Sequence, residues 1–350
     1  MSIKLQRQYQ MVIYPSQYLQ RTPISPDITN PSSISAPDLS QNFTLQAAPP
    51  AFSFTPPISS IVTITNPFTL TINIQRKALA SMNTGTFQIY NLSSKTRDLL
   101  YKDYTDSLSM RRITLKAGYL STGNLSTIFD GNIIYANSYR KQGTTNFITE
   151  IEAYDWGFPV VNATTSISFN SPATPKNQII AQLVNDLCAI GPSGQQLSKG
   201  HIHNYVDDNG NQITEAYKTI SDYSWPQLQY ETGGACYIDN GQLNIIEDNE
   251  YFTGPFSQIN ATTGLLGSPK RSDTYVVCEI LFEPSLLVGQ QITLASITEP
   301  KYNGEYKVVG INHSGIISDA MGGRLMTTVS LFSFPQNQKL IALSEAGGTI

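Results

Sequence analysis

The sequence is short of charge. Asp, Glu, Lys and Arg make up 14% of its 350 residues, against about 25% in an average soluble protein. Asn, Gln, Ser and Thr take their place. A surface of that kind suits burial in an assembly better than a crowded cytosol. Cysteine is scarce as well. Cys188, Cys236 and Cys278 are three, odd in number and far apart, which argues against a disulfide framework and for buried free thiols. No run approaches the ~20 apolar residues that cross a bilayer, so no stable membrane insertion is expected. The opening MSIKLQRQYQMVIYPS has no apolar h-region before Pro15 and does not read as a Sec signal. Net charge is −4, which excludes a basic nucleic-acid binder. Gly-X-Ser-X-Gly, P-loop and dinucleotide fingerprints are all missing.

What is present is β-rich. Hydrophobic residues at 40%, with 19 Tyr, supply real cores, and the length suits two or three domains. Arg7 to Tyr14 reads as a first strand. From Pro15 to Pro57, eight further prolines or their neighbours keep the backbone extended and forbid helix, giving a long loop or arm. Phe68 to Gln75 alternates cleanly, with Phe68, Leu70, Ile72 and Ile74 on one face. Further strands are predicted at 58–65, 87–90, 112–118, 125–135, 146–154, 274–282, 290–295, 304–312 and 324–332. Turns are expected at Gly123-Asn124, Asp130-Gly131 and Gln142-Gly143. Ser93 or Ser94 can cap a short helix.

One longer helix is clear. Thr174 is its N-cap candidate and Pro175 suits its first position. Ile179, Ile180, Leu183, Val184 and Leu187 form its apolar stripe, and Gly191-Pro192 stops it. A second helix is predicted between Thr219 and Thr232, limited by Pro226. A hairpin over 235–246 turns at Asn240-Gly241, a pair suited to two successive positive φ angles.

Candidate chemistry is thin. His201-Ile202-His203 places two imidazoles on one strand face, with Asp207 and Asp208 as possible further metal ligands; a polar loop is the preferred reading. Replacing both histidines with Ala is expected to leave stability near wild type. Asp207-Asp-Asn-Gly-Asn-Gln begins like a calcium loop, but Gln212 and Lys218 stand where Gly and Glu belong, so a hairpin turn at Asn209-Gly210 fits better. The carboxylates from Glu247 to Glu250 read as solvated. No catalytic, cofactor-binding or metal residue is assigned, and no cofactor is expected.

An internal echo runs through the chain. Arg112-Ile-Thr-Leu, Phe129-Asp-Gly and Thr149-Glu-Ile-Glu-Ala are followed later by Gln290-Gln-Ile-Thr-Leu, Tyr302-Asn-Gly and Thr327-Thr-Val-Ser-Leu. Two copies of one β-domain are predicted, with the two aromatic-Asx-Gly units as equivalent turns, Ile113–Ala117 matching Gln290–Leu294, and Thr149–Ala153 matching Thr327–Leu331. The helix and the Asn240-Gly241 hairpin should lie in an insert away from both sheets.

The same segments carry a family resemblance. Tyr90-Asn-Leu-Ser-Ser-Lys-Thr-Arg97, Ile113-Thr-Leu-Lys-Ala-Gly-Tyr119, Leu125-Ser-Thr-Ile-Phe-Asp-Gly-Asn-Ile133 and Ile148-Thr-Glu-Ile-Glu-Ala-Tyr-Asp155 resemble the amino-terminal block of bacteriophage baseplate hub proteins. Thr263-Gly-Leu-Leu-Gly-Ser-Pro269, 284–294 and 302–314 resemble the carboxyl-terminal block. The resemblance implies a mainly β fold with a small α+β insert, built on two tail-tube-like antiparallel β-barrel or sandwich domains. The expected division is 1–160 with the arm at 15–57, an insert at 161–250, a second β-domain at 251–335 and a tail at 336–350. It further implies a structural virion protein of a long-tailed, typically contractile phage, assembled in the host bacterial cytoplasm. Its implied partners are two further copies of itself, the tail tube protein, the central spike protein and other baseplate proteins, with genomic DNA only in transit through a channel. A carbohydrate-binding tail adhesin and a cell-wall hydrolase are the competing classes.

Overall fold

The computed structural model describes residues 6–21, 43–46, 57–78, 81–106, 109–155, 157–190, 196–272, 274–320, 322–333 and 339–341. Thirteen strands join in one sheet. They are β1 (Arg7–Ile13), β2 (Val62–Thr65), β3 (Leu70–Lys77), β4 (Thr84–Tyr90), β5 (Arg112–Tyr119), β6 (Ser126–Arg140), β7 (Phe147–Tyr154), β8 (Gln258–Asn260), β9 (Lys270–Ser272), β10 (Tyr275–Leu281), β11 (Gln291–Ala295), β12 (Gly304–Ile317) and β13 (Leu325–Ser333). The predicted alternation is realised from Leu70 onward: Leu70, Ile72 and Ile74 are buried on β3 while Asn73 and Gln75 face out, but Phe68, expected on the same face, lies before the strand and is exposed.

The path across the sheet is β9-β10-β13-β12-β3-β4-β7-β6-β5-β1-β2, with β11 on the first half of β12 and β8 on β11. The order β3-β4-β7-β6-β5 is therefore repeated as β9-β10-β13-β12-β11. Each long strand changes neighbours along its length. β6 pairs with β5 through residues 126–132, and β12 pairs with β11 through 304–307 and then with β3 through 310–317.

A bulge marks the same place in each set. Ile134 is skipped where β6 meets β7, and Val309 where β12 meets β13. Superposing these bulges puts Ile133 on Val308 and places Thr149–Ala153 on Thr327–Leu331, as the echo predicts. The first strands match as Arg112-Ile-Thr-Leu on Gln291-Ile-Thr-Leu, two positions from the expected alignment. A shift of two keeps every side chain on its face.

Phe129-Asp130-Gly131 is not a turn. It lies inside β6, opposite Ile113 to Leu115, whereas Tyr302 ends a 3-10 turn and Gly304 opens β12. Gly131 has ordinary β geometry and is required for space: a Cβ there would come within 2.3 Å of the Tyr154 carbonyl oxygen, where β6 passes from β5 to β7. Asp130 is held by a two-pronged pair with Arg112, at 2.8 and 2.6 Å. The repeat ends one strand further out. β1 lies antiparallel on β5, while β8 lies parallel on β11.

Among the described residues four α-helices pack on this frame: α1 (Ser94–Leu100), α2 (Gly157–Asn162), α3 (Lys176–Ala189) and α4 (Ser224–Glu231). Ser93 caps α1 through the Thr96 amide at 3.2 Å. The α3 cap falls on Pro175, one residue later than expected, because Thr174 and Pro175 are bridged to Thr214 and Glu215. Gly191-Pro192 lie outside the described residues. The second predicted helix is half strand: 218–223 pairs with 164–169, and only Ser224–Glu231 is helical, with Pro226 in its first turn. Most of the arm lies outside the described residues, but its segment Gln17–Arg21 pairs with Phe43–Gln46 and with Ser109–Met110. The tail contributes Lys339–Leu340, parallel to Glu250–Tyr251, where no strand was expected.

Three apolar cores result. The first is built from β1 and β3–β7 and takes in Phe282, Ile317 and Leu325 from the second repeat. The next gathers the apolar face of α3 with Trp225, Leu228 and the strands around 236–245. The last belongs to β8 and β10–β13 and includes Tyr237 and Ile341.

Candidate functional site

A buried polar cluster stands where the three cores meet. Alternation on β3 points Arg76 inward, and it is 1% exposed. Its guanidinium forks onto Asp239 at 2.7 and 2.6 Å and donates to the Leu286 carbonyl at 3.3 Å. Asp239 sits just before the Asn240-Gly241 turn, whose φ values of 48° and 77° confirm the tight hairpin. Asn83 donates to the Ile238 carbonyl at 2.7 Å and to Asp155 at 3.3 Å. The Asn240 amide donates to the Thr127 carbonyl at 3.0 Å. So the hairpin is docked on the sheet, contrary to the expectation that it lies away from it.

Burial, with Asp239 and Asp130 nearby, pushes the Asp155 carboxyl well above the usual carboxylate range. Burial opposes charge on Arg76, and the Asp239 carboxylate outweighs it and raises the guanidinium. His313 on β12 is fully buried, 2.9 Å from the Thr327 hydroxyl. Burial, then Arg76, holds its pKa down to about 3.

The two candidate histidines do converge, but on Glu250. His203 Nδ1 lies 3.0 Å from one carboxylate oxygen and His201 Nε2 lies 3.7 Å from the other. Glu250 is 1% exposed, so the reading of its stretch as solvated is wrong for this residue. The Glu247 amide donates to it at 3.2 Å. Removing His203 would take one of several partners from this buried carboxylate. Asp207 and Asp208 are not part of this group: Asp207 accepts from the Asn209 and Asn211 amides in the turn at Gly210. Among the described residues no three His, Cys, Asp or Glu are grouped to hold a metal ion. Glu250 was missed because 47 residues separate it from His203 and only the fold joins them. The three cysteines are free, two buried and one half-buried, with burial raising each thiol.

The Thr327 hydroxyl does lie beside the His313 imidazole, but both side chains are fully buried. The contacts of Arg76, Asn83 and Asn240 tie the hairpin to the sheet. β9 ends the sheet at one side, and the outer edge of β6 beyond Ala136 takes no strand among the described residues.

The mainly β fold is shared with solved structures that differ widely from it in sequence. The Francisella PdpA–VgrG complex in its lidded form has a TM-score of 0.50 at 10% identity; the match covers 97% of this chain and 55% of that one. The 43 kDa tail protein of prophage MuSo2 from Shewanella oneidensis gives 0.49 at 9% identity, covering 77% of this chain and 94% of that one. An Escherichia coli component of the type VI secretion system, c3393, gives 0.48 at 8%, over 78% and 75%. A search of curated proteins returned no match. The baseplate hub gp41 family matches residues 53–315. The chain belongs to that family, and is a structural component of a phage tail baseplate.

Proposed function

We propose that this chain is the hub that adapts a hexameric tail tube to a trimeric central spike, three copies forming a ring around the DNA channel. The observation that carries this reading is the repeat of five strands in one order, with β12 of the second set paired to β3 of the first. That contact is head-to-tail, and such contacts generate rings when the rotation closes. Three chains carry six similar strand sets, which suits a sixfold tube on one side and a threefold spike on the other.

The division proposed is 1–160, 161–250, 251–335 and 336–350. The three apolar cores support it, although Phe282, Ile317 and Leu325 tie the second β-unit to the first core. Assembly takes place in the host cytoplasm, and the chain has no catalytic activity and needs no metal. At −4 per chain, the channel is polar to acidic and lets DNA pass without holding it. Native mass spectrometry of isolated tails tests the reading: three copies per particle are expected, and six would point to a tube subunit.

A further inference from the structure

We propose that the outer face of β7, with its neighbours on β4 and β6, is a docking surface for an extended segment of a partner protein that carries arginine at alternate positions. Two carboxylates, Glu150 and Glu152, stand at its centre. They are two residues apart on β7, so they share one side of the sheet about 7 Å apart along the strand. Thr149, Ile151 and Ala153 take the other side and are buried. Gln88 stands opposite Glu150 on β4 and donates to it at 3.2 Å. Tyr135 stands opposite Glu152 on β6, and Tyr139 lies on the same side four residues further along. Tyr104 completes the face from the loop after α1. Its ring stacks on Tyr135 at 4.3 Å, 6° from parallel, and its hydroxyl donates to Glu152.

The face has no cation of its own. Among the described residues neither glutamate has an ion pair, and no Lys or Arg lies over the three rings. Arg140 and Arg97 are near but belong to the other side: Arg140 stands opposite Phe147, and Arg97 lies 3.6 Å over the Phe147 ring. The negative charge is felt within the face. The hydrogen bond to Glu152 lifts the Tyr104 phenol to about 12, and burial followed by Glu150 raises that of Tyr139. Tyr104 is 52% exposed and Tyr139 39%, so both rings are open to a partner. A carboxylate beside an open phenol ring suits a guanidinium, which forks onto the one and stacks on the other; the compact lysine charge does neither as well. β7 is hydrogen-bonded on both edges, to β4 and β6, so the partner is held through side chains. An extended chain repeats every two residues on one side, so Arg-X-Arg laid along β7 brings one guanidinium to each glutamate. The same charge repels phosphate, which argues against DNA as the occupant.

The test is fluorescence anisotropy of a labelled Arg-Thr-Arg-Thr-Arg peptide titrated with the full chain at moderate salt. Binding to the wild-type chain is expected, and Glu150→Gln/Glu152→Gln should weaken it about tenfold, the sum of two half-exposed ion pairs. Tyr104→Leu should weaken it as well. Asp207→Asn/Asp208→Asn removes the same charge from an exposed turn elsewhere and should bind as the wild type does. Equal weakening by the two double variants would mean attraction to net charge alone and would overturn the proposal. So would the absence of binding by the wild-type chain, or competition by spermidine or a Lys-Thr-Lys-Thr-Lys peptide as strong as that of the unlabelled arginine peptide. Far-UV circular dichroism reports the folding of each variant. Should the glutamate variant fail to fold, Tyr104→Leu decides: unchanged binding would overturn the proposal.

Discussion

Arg76→Met should be among the most damaging single substitutions outside the apolar cores. Arg76 is 1% exposed, and its side chain is bound twice by a carboxylate whose own side chain is 9% exposed. Breaking one partner of such a buried pair costs about 3–5 kcal/mol, because the other charge stays buried and uncompensated. Asp155 adds little to that cost, because burial and the neighbouring Asp239 and Asp130 already hold its carboxyl well above the usual range and Arg76 is the least of the influences on it. Asp239→Asn should cost less. Removing the Asp239 charge lifts part of the penalty on Asp155, which can then ionise and balance Arg76. The double variant Arg76→Met/Asp239→Leu should recover much of the loss, since well-packed apolar replacements of buried pairs are often neutral. Urea unfolding followed by far-UV circular dichroism, at one protein concentration throughout, gives the three midpoints. The reasoning fails if Arg76→Met costs under about 1 kcal/mol, the range of an exposed pair, or if Asp239→Asn is the worse of the two.

Gly131→Ala should destabilise by about 1–3 kcal/mol through overpacking, because its Cβ would sit 2.3 Å from the Tyr154 carbonyl oxygen; wild-type stability would show that the β6 handover can relax. His313 gives stability an acid limb. Its folded pKa of about 3 lies below the usual 6.5, so the unfolded chain takes up a proton that the native state refuses. Its contribution is complete above about pH 6.5 and declines by about 1.4 kcal/mol per pH unit as pH falls toward 3. His313→Gln should flatten that slope, and an unchanged pH profile would refute the assignment. His203→Ala should weaken the chain at neutral pH by removing one partner of the buried Glu250, and Glu250→Gln in the same chain should restore part of the loss, both read by thermal unfolding.

Local pattern in the sequence determined most of the strands, the α1 and α3 helices and the Asn240-Gly241 turn. Alternation at 70–74, the Ser93 cap and the stripe from Ile179 to Leu187 each depend on neighbours a few residues apart, and such rules act before any long-range contact forms. Even the repeat was visible, because Arg112-Ile-Thr-Leu and Gln291-Ile-Thr-Leu meet the same demand: a central strand with its inner face packed. Tertiary structure decided the rest. Asp130-Gly131 has the composition of a turn, yet it lies in a strand because Arg112 binds the carboxylate and the Tyr154 backbone needs the space. The predicted helix from Thr219 begins instead as a strand, because 218–223 pair with 164–169. Glu250 lies in an acidic stretch, yet the fold buries it against His201 and His203. In each case the deciding partner is many residues away, and its hydrogen bonds or volume outweigh a local preference worth at most about a kilocalorie.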